Sequence, residues 1–98
     1  MTPQTQFTWF LYIIRCADNT LYTGITIDVE ARFATHQSQT SRSAKYLRGR
    51  EPLTLVFQVP IGSKSKASRA EYYVKRLSKQ NKEKLIQGQL NIDELMPS

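Results

Sequence analysis

The sequence predicts a small α+β domain, a three-stranded antiparallel sheet flanked by helices in the order β-β-α-β-α-α. Three observations predict it. Two apolar runs, "FTWFLYIIR" at 7–15 and "LYTGIT" at 21–26, are rich in aromatic and β-branched residues and are separated by the turn-forming "ADNT". A third such run, "LTLVFQV" at 53–59, follows a long polar stretch. Around these runs lie segments of helical spacing, two of them opened by a residue able to cap a helix. Three strands cannot bury both of their faces alone, so helices must cover the sheet.

The first run is apolar at both parities, which suits a central strand covered on both faces. It pairs with the second as an antiparallel hairpin. A three-residue loop, Ala17-Asp18-Asn19, with Asn19 left-handed, sets Cys16 opposite Thr20, so paired residue numbers sum to 36. Tyr12 and Tyr22 then share a face. A two-residue Asp18-Asn19 turn would shift the register by one and separate them. Asn tolerates positive φ, and no Asn-Gly or Asp-Gly pair is present, which favours the longer loop.

Asp28 caps "VEARFATHQ", and residues 37–52 read as a polar, basic loop with one helical turn at 44–47. Pro60 and Gly62 are expected to end the third strand. "SKASRAEYYVKRLS", residues 65–78, lies in a long helix. Ser78 caps a shorter helix that reaches Ile86, and Gly88 stops it. The chain is thus expected to divide into a loose arm at 1–6, one domain at 7–88 and a tail at 89–98. That tail either packs through Leu90, Ile92 and Leu95 or frays.

Composition narrows the function. The longest apolar run, Trp9 to Ile14, is six residues, too short to span a bilayer. One cysteine and one histidine allow neither an internal disulfide nor a Cys/His zinc cluster, and the expectation is a cytoplasmic protein. The formal charge is +6, from 14 Lys and Arg against 8 Asp and Glu. Such a surplus on a small body attracts polyanions.

Two polar intrusions on apolar helix stripes carry the chemistry. Ala67, Ala70, Val74 and Leu77 fall on one face of the long helix, and Glu71 stands within that stripe. On the first helix, Val29, Arg32, Phe33 and His36 share a face. With Tyr12 and Tyr22 these residues are expected to converge on one face of the sheet. An arginine can offset charge on a scissile phosphate, and a tyrosine or histidine can orient or deprotonate water. The remaining carboxylates fall in turns, caps, tail and outer helix faces, which leaves at most one for a metal. Plain alternatives stand beside this: Glu71 can pair with Lys75 at i+4 or bridge to Arg32, and Tyr72 and Tyr73 read as packing residues.

"FLYIIR", then "LYTG", "EARFATH" and "RAEYYVKRL", in that order, resemble the GIY-YIG endonuclease superfamily over roughly residues 9–87. Within it, the similarity is greatest to the small single-domain bacterial YhbQ-like proteins. The resemblance implies catalytic roles for Tyr12, Tyr22, Arg32 and His36. It also implies that Glu71 holds one magnesium or manganese ion, with no organic cofactor. The first motif departs from the family as Leu11-Tyr12-Ile13, without its glycine, and Ile25 follows Gly24 where repair nucleases of the family place a lysine.

Arg42, Lys45, Arg48 and Arg50 of the basic loop are expected to hold phosphates, with Tyr46 available to stack on a base; Lys66 and Arg69 form a second basic cluster. A solvated loop is the bland alternative. The expected activity is hydrolysis of DNA phosphodiester bonds, selective for structure rather than sequence, in repair or recombination. A partner protein would then supply further specificity. The competing expectation is a non-catalytic module that binds DNA, RNA or ribosomes through the same charge.

Overall fold

The structure is a computed structural model that describes residues 7–40 and 42–96; the expected arm at 1–6 and the last two residues of the tail lie outside them. β1 (Trp9–Arg15) is central, antiparallel to both β2 (Leu21–Thr26) and β3 (Thr54–Gly62), in the sheet order β2-β1-β3. Three helices, α1 (Val29–Gln37), α2 (Lys64–Lys75) and α3 (Lys79–Ile86), complete the expected order, with 3-10 turns at Lys45–Leu47 and Ile92–Leu95. Asp28 and Ser78 cap α1 and α3 as expected, and Ser63, not singled out in the sequence, caps α2. The side chains of Asp28, Ser63 and Ser78 accept from the backbone N–H of Ala31, Lys66 and Asn81.

The alternation of β1 divides the molecule into two cores. Leu11 and Ile13 pack with Ala70, Val74, Leu85 and Ile92, so α2, α3 and the C-terminal turn cover that face. Tyr12, Ile14 and Cys16 pack on the other face with Val29, Leu47 and Leu53, under α1 and the 44–50 segment. The tail packs: Leu90, Leu95 and Met96 lie against the first core beside the buried Ile92.

Two strand ends differ from expectation. β1 starts at Trp9, because Phe7 finds no cover and is 63% exposed. β3 continues through Pro60 to Gly62, which pairs with Trp9 across a register shift. As an edge strand, β3 can carry a proline without losing a ladder bond that a central strand would need. No helix among the described residues is long and apolar enough to cross a membrane.

Candidate active site

The hairpin loop sets the site. Asn19 takes φ 68°, the Cys16 N–H donates to the Thr20 carbonyl at 2.9 Å, and the ladder pairs Tyr12 with Gly24 and Ile14 with Tyr22. Tyr12 and Tyr22 accordingly lie on one face with ring centroids 6.3 Å apart. Gly24 is required by that packing: a Cβ there would collide with the Tyr12 hydroxyl and stand 2.6 Å from Tyr12 Cζ. The aromatic ring crosses the neighbouring strand where only a glycine leaves room.

α1 delivers the other polar groups to the same face. Val29 is buried and Phe33 half-buried, which turns His36 fully inward. His36 Nε2 lies 2.9 Å from the Tyr12 hydroxyl oxygen, while His36 Nδ1 accepts from the Ala44 N–H at 3.2 Å. Burial, helped by the nearby Arg32 charge, pushes the imidazole down to about 4, so the ring is neutral. A neutral ring that accepts on Nδ1 carries its proton on Nε2. His36 therefore donates to Tyr12, and neither ring nitrogen is left to take a proton from water.

Burial also pushes the Tyr12 phenol up to about 12, with Tyr22 adding to the rise and Arg32 opposing it. Tyr12 is thus a neutral phenol whose oxygen accepts from His36 and whose own O–H is available to the site. Arg32 sits beside that hydroxyl and donates from Nη1 to the Arg42 carbonyl at 3.0 Å. Tyr22 is more exposed than Tyr12; it meets His36 edge-on at 5.6 Å and stacks on Tyr46 at 5.9 Å.

Glu71 corrects one expectation. The residues do not all converge on one sheet face, because α2 covers the opposite face with Ala67, Ala70 and Val74 fully buried. β1 is apolar on both sides and needed both covered. Glu71 stands on the flank of α2 with its side chain 25% exposed, 3.3 Å from Lys75 Nζ. Its charge still reaches Tyr12, where it favours the neutral phenol. That pair is the plain alternative expected for Glu71; a hard divalent ion that takes one protein oxygen and completes its shell with water and phosphate would bind there by displacing the lysine. Among the described residues no group of three or more His, Cys, Asp or Glu gathers, so a fuller protein cage is not built.

The basic candidates scatter. Arg42, Lys45, Arg48 and Arg69 are exposed. Arg50 is committed within the protein: Nη1 lies 2.7 Å from Asp18 Oδ2, and its guanidinium lies 4.3 Å from the Tyr46 ring centroid. Tyr46, 42% exposed, stacks on Tyr22 and lies under Arg50. Lys66 borders a cavity of about 370 Å³ with Val59, Asp93 and Met96, lined from β3 and the C-terminal turn. Tyr72, expected to pack, is 55% exposed under Arg76. Glu83, expected on an outer face, forms a two-pronged bridge to Arg15 at 2.6 and 2.7 Å, which pulls its carboxyl down to about 2.

Sequence reasoning missed the Ala44 N–H and Gln39, which belong to a loop without periodicity. Only the left-handed backbone of Gln39, invisible before folding, marks it as unusual.

A profile of the GIY-YIG catalytic domain matches residues 8–84. The chain is 60% identical to a UPF0213 protein of Cronobacter sakazakii over 82 residues, 84% of each chain. It is 54% identical to the UPF0213 protein YhbQ of Escherichia coli K12 over 98 residues, 100% of this chain and 91% of that one. The solution NMR structure of the UPF0213 protein BH0048 of Bacillus halodurans superposes with a TM-score of 0.54 at 40% identity, covering 91% of this chain and 93% of that one.

Proposed function

The chain belongs to the GIY-YIG family, whose domain is that of endonucleases, and from that premise we propose that it is a divalent-metal-dependent endonuclease hydrolysing DNA phosphodiester bonds. It selects DNA by structure rather than sequence, and serves repair or recombination. The observation that carries this reading is the buried Tyr12–His36 pair at 2.9 Å, set beside Arg32 and seated over Gly24. A structural role alone does not call for so many polar groups on one buried face.

In this reading Tyr22, the more accessible phenol, orients the attacking water. Tyr12 donates its O–H toward the same water or a phosphate oxygen, and His36 holds Tyr12 in place without exchanging a proton itself. His36 is thus a positioning residue. Arg32 offsets the charge that grows on the non-bridging oxygens. Glu71 holds one magnesium or manganese ion, which when bound supplies Lewis acidity at the scissile phosphate. Arg42, Lys45 and Arg48 track the DNA backbone, with Arg69 of α2 adding to the positive field, and this gives affinity without base reading.

The test is cleavage of labelled duplex, nicked, forked, junction and single-stranded DNA, with RNA counterparts, in magnesium or manganese. Glu71→Ala is purified in parallel. Products that need the metal and vanish in the variant are expected. Tight binding without products from either protein would favour the non-catalytic binding module, or an enzyme awaiting its partner protein.

A further inference from the structure

α1 ends at Gln37, and the chain must turn back to bring the 44–50 segment over the site. It does so through Gln39 at φ 57°, a left-handed backbone that non-glycine residues adopt only under strain. A glycine would adopt it freely. The side chain accounts for the exception. Its Nε2 donates to the His36 carbonyl at 3.0 Å and to the Leu47 carbonyl at 3.2 Å, and its Oε1 accepts from the Gly49 N–H at 2.7 Å. One amide thus ties the last turn of α1 to both Leu47 and Gly49.

Ala44, Tyr46 and Arg50 belong to the segment so tied. The Ala44 N–H reaches His36 Nδ1, Tyr46 stacks on Tyr22, and Arg50 lies over Tyr46 while bound to Asp18 of the hairpin loop. We propose that Gln39 is a positioning residue of the site. Its side chain clamps the 44–50 segment onto the end of α1, so that the Ala44 N–H locks His36 as the Nε2–H tautomer and Tyr46 holds Tyr22. The consequence for turnover rests on the nuclease reading; the consequence for the tautomer does not.

Gln39→Gly separates clamp from backbone, since it relieves the left-handed strain while deleting the side chain. The readout is the pair of His36 ring ¹⁵N shifts at neutral pH, which distinguishes the two tautomers. The wild type is expected to show the Nε2–H form alone. Gln39→Gly is expected to show the two nitrogens drawing together as the second tautomer appears. Its cleavage should fall roughly tenfold. A variant that keeps the single wild-type tautomer overturns the proposal, whatever its activity. If Gln39→Gly does not fold, Gln39→Glu gives the same reading, because a carboxylate cannot donate to the two carbonyls. A wild type that cleaves nothing would sink the nuclease reading and leave the tautomer result to decide the clamp.

Discussion

The two faces of β1 are built from alternate residues of one strand yet are governed by different physics. Leu11 and Ile13 look onto hydrocarbon: Ala70, Val74, Leu85 and Ile92. The charges on that side stay at its rim, where Arg15 grips Glu83. Tyr12 looks instead onto His36, Arg32 and Tyr22, directional contacts set into an apolar surround of Ile14, Val29, Leu47 and Leu53. Burial of apolar area is non-directional and tolerates small shifts, whereas hydrogen bonds and a ring wedged over a glycine do not. The lesson is a division of labour: one face keeps the sheet folded, and the other spends part of that stability on a fixed polar arrangement.

The comparison can be broken most forcefully with Ile13→Ala, which removes a fully buried side chain from the hydrocarbon face. It should cost about 4 kcal/mol in urea unfolding while leaving cleavage per folded molecule near wild type. A loss of cleavage at full folding would mean that the faces are not separable. Gly24→Ala attacks the other face, where the new Cβ displaces the Tyr12 ring. Cleavage should drop on the order of 100-fold with DNA affinity retained, measured as kcat against KM.

Acid should distinguish the faces by where each one titrates. His36 is held well below its ordinary 6.5, at about 4, so its contribution is whole above pH 6.5 and drains away as pH falls from 6.5 to 4. Stability should decline by about 2 kcal/mol between pH 8 and pH 5, and His36→Phe should flatten that slope. Glu83 is held near 2, so the Arg15–Glu83 bridge on the other face is lost only as pH falls from 4.5 to 2. Equal slopes above pH 5 in the wild type and the phenylalanine variant would refute the assignment. The smallest effect is expected at Thr23, buried toward α2 with no partner for its hydroxyl among the described residues. Thr23→Val should be neutral or stabilising by up to about 1 kcal/mol in thermal unfolding, with cleavage unchanged.

Much of the fold was legible because it rests on short-range chemistry. Asn19 disclosed the hairpin register, since its tolerance of positive φ selects the three-residue loop, and that register alone placed Tyr12 and Tyr22 together. Asp28 and Ser78 disclosed two of the helix starts, while the Ser63 cap of α2 came to light only in the structure. The helical stripe disclosed the buried side of α2 but not which sheet face it would cover, since both parities of β1 are apolar and either was open. The pairing of Arg15 with Glu83, 68 residues apart, had no local signal at all.

The same boundary runs through the candidate site. Which residue types share a strand face or a helix face was determined by the sequence, because periods of two and 3.6 are properties of the backbone. What each group does was decided by tertiary structure. His36 is a neutral donor only because folding buries it and brings the Ala44 N–H to its other nitrogen. Arg50 and Tyr46 serve each other, Tyr22 and Asp18 only because the loop is tied down. Glu71 reaches Tyr12 from the opposite side of the sheet only because α2 packs there. Burial and long-range contact set protonation, tautomer and partner, and neither exists until the chain has folded.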